Sequence, residues 1–407
     1  MKPMEGVRVV DLTTFLAAPT AARVLGEWGA DVIKVEAPNG DPGRTQGAVF
    51  GMTYEDDENL GFDMSNMNKR FVTLNLKTPD GMEVMHRLLA DADVFVTNIR
   101  TKSLVKMGLD YDSLKEKYPR LVFAHCLGYG ENGPEKDTAG FDVTCYMARG
   151  GVFGTTVNKG DAPMIPTNGF GDFQVSMCLA SGISAALFNR ERTGRGDKIS
   201  VSLHHAAVYM LSTGVVSAQY GNEYPKSRMT VVCPTNNVFR TKDEKWVALC
   251  APQYDRDYNK VMTLIGRSDL VDNPDYCNCD HLNTIGKNAE IIAIMDEAIA
   301  KFTRAEILKI FKDNDLPCEA CYEPKDMYED EQVWANGIMT KLDCPSGKRN
   351  IATNPVKFQS LPEPDYKVTR AQGTDTASVM HELGYDDAAI EKYLAEGAVC
   401  GKKALQK

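Results

Sequence analysis

Residues 7–36 read VRVVDLTTFLAAPTAARVLGEWGADVIKVE. Val7–Val10 has the apolar, β-branched character of a buried strand, and Asp11–Ala18 reads as the loop that follows it. Pro19 suits the first position of a helix, because its missing N–H is one that a helix start leaves unbonded anyway. The apolar spacing then carries a helix to Trp28, Gly29 stops it, and Asp31–Glu36 alternates as a second strand. Strand, helix and strand in thirty residues predict the opening β-α-β unit of a parallel sheet. An acid at the end of such a unit invites a dinucleotide site with Glu36 on a ribose. The first turn, DLTTFLAAP, has none of the glycines that let a backbone close on a pyrophosphate. The expectation is therefore a Rossmann-like sheet without a nicotinamide site.

The same alternation continues downstream. Residues 38–62 are rich in Gly, Pro and acids and read as a long loop. Arg70–Leu76 reads as a strand, Pro79–Ala90 as an amphipathic helix, and Val94–Thr97 as a strand. Two short helical pieces follow at Leu104–Met107 and Tyr111–Lys117, then a strand at Leu121–Cys126. In a parallel sheet the ligand loops leave the strands' C-terminal ends. Those ends carry Phe15-Leu16-Ala17, Lys77, Asn98 to Arg100, and Gly128-Tyr129-Gly130. Cations on a loop are usually solvated surface, but their recurrence at strand ends favours an anion-binding groove.

A lone acid, Asp172, stands where a glycine loop, Gly169-Phe170-Gly171, turns into a long helix of small and apolar residues. As an N-cap its side chain would accept from the free N–H groups of the first turn, worth about 1 kcal/mol. As a functional group it would sit where glycines permit close approach and a helix N-terminus offers donors to a developing oxyanion. Local sequence leaves both readings open. Beyond it, TGRGD (193–197) is a turn and Lys198–Leu203 a strand leading to an apolar helix from Ala206.

A change of style near Tyr224 marks a second domain. A hairpin is expected from Asn236–Arg240 and Trp246–Ala251, helices near Tyr254–Ile265, Ala289–Phe302 and Arg304–Phe311, a strand at Pro317–Tyr322 and a helix at Asp326–Ala335. Two more helices follow Asp375. The expected fold class is α/β, a Rossmann-like parallel-sheet large domain formed by 1–224 and 326–407 with a smaller α+β domain at 225–325.

Length and composition agree: 407 residues exceed one ordinary core, and 43% hydrophobic with 25% charged content is that of a globular protein. The formal net charge of -10 argues against nucleic acid as a partner. No apolar run reaches membrane-spanning length and no signal pattern opens the chain, so a cytoplasmic protein is expected. Eleven dispersed cysteines fit reduced thiols. Cys277-x-Cys279-x-His281 with Cys318-x-x-Cys321 is not a usual zinc spacing, and no metal is expected.

Five segments in order carry a resemblance that none carries alone: the opening stretch through APNGDPGR (37–44), NKRFVTLNLKTPDG (68–81), ADVFVTNIR with KMGLDYDSL (92–100 and 106–114), GYGENGP (128–134), and GFGD (169–172) followed by RERTGRGDKISVSLHHAA (190–207). Together with PCEACYEPKDMYEDEQVWANGIM (317–339) they resemble the family III CoA-transferases nearly end to end. Within that family the chain is most similar to transferases acting on 2-hydroxy acids, the phenyllactate and 2-hydroxyisocaproate enzymes of amino-acid-fermenting anaerobes.

The resemblance implies an interlocked homodimer, a CoA thioester as substrate with no permanently bound cofactor, and Asp172 as a nucleophile. With an ordinary pKa near 3.9 that carboxylate would need no activating base, and a backbone N–H of the loop would stabilise each oxyanion by roughly 3 kcal/mol. Gly169 and Gly171 would leave room for the thioester. By positional match the CoA cleft would use Leu16, Ala17, Ala37, Leu74, Lys77, Asn98, Ile99, Arg100, Lys106, Met107, Leu127, Tyr129 and Gly130. Two departures stand out: the family's cation before the Gly-Tyr pair is Leu127, and a glycine-rich lid is not evident at 251–257, where Gln253 or Tyr254 would face substrate instead. Two other functions compete. An α-methylacyl-CoA racemase of the same fold needs a histidine where this chain has Phe141, in Gly140-Phe141-Asp142. A non-catalytic CoA-binding protein would leave Asp172 as a cap alone.

Overall fold

The computed structural model describes residues 2–359 and 365–405. Its organising element is a parallel sheet of six strands: β1 (Arg8–Leu12), β2 (Asp31–Glu36), β3 (Lys69–Leu74), β4 (Val94–Thr97), β5 (Val122–Leu127) and β6 (Lys198–Ser202), in the order β3-β2-β1-β4-β5-β6. A two-residue strand, Val399–Cys400, extends the β3 edge antiparallel, with Val399 opposite Leu74. Strand order reverses between β1 and β4, and the crevice outside the carboxyl ends at such a switch point is where doubly wound sheets bind ligands.

β1 to β5 are buried on both faces, as parallel sheets require, the edge strand β6 is only partly covered, and helices cover the sheet. They are α1 (Ala17–Glu27), α2 (Leu60–Asn66), α3 (Pro79–Ala90), α4 (Thr101–Met107), α5 (Tyr111–Leu114) and the 24-residue α6 (Phe170–Thr193). Thr78 caps α3 by accepting from Gly81 N–H, with Pro79 at the first position. Pro19 does not open α1, which begins two residues earlier at Ala17. Part of 38–62, expected to be loop, is wound: Pro42–Phe50 forms 3₁₀ turns behind an Asp41 cap, and α2 starts at Leu60. A seven-residue π-helical turn, Asp142–Ala148, precedes α6.

The chain divides into two compact units. The large one comprises 1–152, 165–215 and 334–407 and holds the sheet, α1 to α6 and a hairpin (Met339–Cys344 with Gly347–Ala352). The small one comprises 153–164 and 216–333. It is built on a three-stranded antiparallel sheet, β7 (Asn236–Arg240), β8 (Trp246–Cys250) and β9 (Cys318–Ala320), against the helices Tyr254–Leu264, Asn288–Ile299 and Arg304–Lys312. Tyr254 is buried in that unit's own core, so its ring packs rather than facing a substrate, while Gln253 is exposed.

Candidate active site

The loop after β1 is held from below by buried charges. Lys34 Nζ donates to Thr13 O at 3.0 Å and pairs with Asp41 at 2.9 Å, and Lys69 Nζ pairs with Asp11 at 2.8 Å. Burial pushes the Lys69 ammonium down to about 7 against the pull of Asp11, whereas Asp41, Asp11 and Glu36 outweigh burial and hold Lys34 above its usual range. Glu36 is clamped by Arg44 through two bonds of 2.8 and 2.7 Å. It therefore has a structural partner and offers nothing to a ribose. Asp41 Oδ1 accepts from Phe15 N–H at 3.2 Å, fixing Phe15 at φ 64°, a region that bulky residues rarely adopt. Across the switch point Asn98 binds Thr14 twice, accepting from its N–H at 3.0 Å and donating to its carbonyl at 2.7 Å. The two loops that a ligand would enter between are thus stapled by Asn98.

Above this staple opens a cleft of about 430 Å³. Leu16, Ala17, Asn98, Ile99, Arg100, Leu127 and Asp172 line it, all of them named from sequence. Ala37, Leu74, Lys77, Lys106, Met107, Tyr129 and Gly130 lie outside the lining. Ala37 is exposed past β2, with its carbonyl taken by Gln372. Leu74 ends a strand inside the core, and Met107 packs against that core. Lys77 and Lys106 are solvated. The Tyr129 ring meets His204 edge-on at 6.2 Å and Arg149 at 5.3 Å, and Gly130 takes φ 106° to turn the chain. Phe15 and Gly128, placed from sequence at the ligand-facing strand ends, also line it, whereas Ser103, Cys126, Lys136, Thr138 and Phe141 were missed among the lining. Lys136 offers a second cation beside Arg100; its signal was the loop ENGPEKDTAG, which has no periodicity to read. Phe141 does not bury itself: it is 56% exposed and stands edge-on to Phe15.

Asp172 is not the N-cap of α6. Gly169 holds that position in the left-handed region (φ 78°), and Asp172 lies in the first turn with no capping bond. The donor that a cap would satisfy goes elsewhere: Gly171 N–H binds Asp142 Oδ1 at 3.1 Å. Gly171 is needed for that approach, since a Cβ there would lie 2.4 Å from Asp142 Oδ1 and 2.3 Å from the Tyr146 ring. A Cβ on Gly169 would meet Leu16 Cδ1 at 2.8 Å. The glycines thus make room for neighbouring protein atoms. Gly171 N–H is also unavailable as an oxyanion donor.

Burial pushes the Asp172 carboxyl up to about 7, and the Asp142 carboxylate adds to the rise. Burial likewise raises Asp142, against the opposing N–H dipoles of Gly171 and Gly169. Asp172 is therefore not an ordinary ionised carboxylate. Near neutrality it exchanges a proton, and once ionised it is more basic than a solvated aspartate.

A switch-point cleft with a perturbed carboxylate and two cations on its wall is the candidate active site of an α/β enzyme. Residues 4–376 match the model of CoA-transferase family III. The chain belongs to that family and is a CoA-transferase, using CoA thioesters as substrates. It is 42% identical over 391 residues to the cinnamoyl-CoA:phenyllactate CoA-transferase of Clostridium sporogenes, covering 95% of each chain. It is 40% identical to the (R)-2-hydroxy-4-methylpentanoate CoA-transferase of Clostridioides difficile, covering 96% of this chain and 98% of that one. Among solved structures, a CaiB/BaiF family protein from Brucella suis superposes with a TM-score of 0.79 at 28% identity, covering 94% and 99%. Among the described residues no helix is long and apolar enough to cross a membrane.

Proposed function

We propose that this enzyme moves CoA from an acyl-CoA, an enoyl-CoA such as isocaprenoyl-CoA, to a free 2-hydroxy acid such as (R)-2-hydroxyisocaproate, with Asp172 as the covalent carrier. The observation that carries the reading is the Asp172 carboxylate itself, placed in the cleft without a capping role. The acceptor class is supported by the two relatives above, whose names specify phenyllactate and 2-hydroxy-4-methylpentanoate.

The ionised Asp172 oxygen attacks the donor's thioester carbonyl, the C–S bond breaks, and CoA thiolate leaves a mixed anhydride behind. The thiolate then attacks the aspartyl carbonyl, expelling the donor's acid and forming an aspartyl-CoA thioester. An acceptor carboxylate repeats the sequence: it displaces thiolate to form a second anhydride. The thiolate then takes the acceptor's acyl group and frees Asp172. Arg100 and Lys136 line the cleft and would hold the phosphates or the acid carboxylate. The elevated pKa of Asp172 favours attack by making the ionised form more nucleophilic, and the apolar lining of Phe15, Leu16, Leu127 and Leu203 helps keep water from the anhydride. The racemase alternative lacks its base: among the described cleft-lining residues none is a histidine. A homodimer and a role in amino-acid fermentation, in the cytoplasm, complete the reading, with the exposed Phe188 and Tyr209 supporting self-association.

Asp172→Asn tests it. The variant is expected to keep CoA binding and lose transfer; substantial transfer by a deamidation-free variant would refute the nucleophile. 2-Hydroxyisocaproate, phenyllactate and lactate, each with the matching enoyl-CoA, test the acceptor class. Exclusive use of oxalate or carnitine would refute it.

A further inference from the structure

Asp142 comes from a segment thirty residues before Asp172, yet its side chain bonds directly to the start of α6. Its Oδ1 accepts Gly171 N–H at 3.1 Å, and the side chain is buried. The site is built for that contact. A π-helical turn begins at Asp142, and π turns recur at functional sites. Tyr146, one turn further on, lies under Gly171 and donates to Gln174 Oε1 at 2.7 Å, tying the same turn to α6 a second time. Gly171 cannot carry a Cβ without striking both partners. A carboxylate aimed at a helix start is stabilising by itself, but one set beside a second carboxylate in a half-buried cleft is a costly way to achieve that alone.

Resting on Asp172 as nucleophile, we propose that Asp142 is a positioning residue: by holding Gly171 N–H it fixes the first turn of α6 and presents the Asp172 carboxylate to the thioester carbon. Its negative charge has a second effect, helping to keep Asp172 basic. The titratable groups beside this pair are the Tyr146 hydroxyl on the Asp142 side and the Cys126 and Cys145 thiols on the Asp172 side, while Arg100 and Lys136 line the same cleft as Asp172.

Two variants separate anchoring from charge. Asp142→Asn keeps an acceptor oxygen for Gly171 but removes the charge; Asp142→Ala removes both. Displacing a reacting group by about 1 Å can cost on the order of 100-fold in rate. Asp142→Ala is therefore expected to lower kcat by about that factor with KM for the acyl-CoA changed less than about threefold. Asp142→Asn is expected to retain most of kcat while the acid limb of the kcat/KM profile moves below its wild-type midpoint, because the like charge beside Asp172 is gone. Melting temperature and CoA binding, measured alongside, must stay near wild type in the Asn variant. Wild-type kcat in Asp142→Ala, or an unmoved acid limb in Asp142→Asn, would overturn the proposal. Asp172→Asn, assayed in parallel, distinguishes the two failures: if it is active the nucleophile is wrong, and if it is dead while Asp142→Ala is fully active only the positioning role fails.

Discussion

The ring of Phe141 stands edge-on to that of Phe15, with centroids 5.4 Å apart and planes at 88°, and both rings line the cleft that holds Asp172. Phe15 is kept in an unfavourable backbone region by Asp41, and Phe141 stays 56% exposed. An aromatic pair held open in this way is an apolar wall for a substrate side chain. Phe141→Ala is expected to raise KM about tenfold for acceptors with an isobutyl or phenyl side chain and to leave lactate nearly unchanged. Acceptor kinetics check it; an equal loss on lactate would remove the pair's role in selectivity.

The raised pKa of Asp172 has a cost in stability. Between pH 3.8, its unfolded value, and about 7, the folded chain holds a proton that the unfolded chain has released. Stability therefore falls as pH rises across that window, by about 1.4 kcal/mol per unit at most. Asp172→Asn removes the ionisation and should raise the melting temperature clearly at pH 8 and little at pH 4.5. In the wild type, kcat/KM should rise with pH through an acid limb near 7, as the carboxyl loses its proton. A variant melting identically to wild type at pH 8 would show that the cleft does not penalise the charge.

Much of the sheet was legible because its signals are local. Val94–Thr97 and Pro79–Ala90 form where periodicity and Pro79 placed them. Nine of the strand-end and site residues named from sequence share the cleft because strand ends at a switch point converge. What escaped is non-local. The donors at the start of α6 are met by Asp142, from another segment, so reading Asp172 as a cap from its neighbours was bound to mislead. The turns at 42–50 and 142–148 carry too few periodic apolar residues to register. Leu74 and Met107 were assigned to the cleft by position alone, and the core claims both.

Arg100 and Lys136 are the cationic side chains of the cleft, and both are exposed. Charge-assisted bonds to phosphate or carboxylate are worth about 1.5–3 kcal/mol. Arg100→Ala and Lys136→Ala should each raise KM for the acyl-CoA about tenfold or more, with the wild-type KM itself rising with ionic strength. Steady-state kinetics at two salt concentrations decide this; salt-independent KM values in wild type and variants would place the phosphates elsewhere.

Asp41 joins the buried Lys34 to the backbone of Phe15. Asp41→Ala leaves that ammonium without its closest partner, and breaking a buried pair costs about 3–5 kcal/mol. Urea unfolding should report a loss of that order, and transfer activity should fall as the loop after β1 loosens. A change under about 1 kcal/mol would mean that Asp11 and Glu36 suffice for Lys34.

The most direct test is the mass of the protein after incubation with an acyl-CoA and no acceptor. The carrier role predicts an adduct of one CoA less one water, mapping to the peptide that contains Asp172 and discharged by a 2-hydroxy acid. No adduct, or one mapping to another residue such as Cys126, would contradict it.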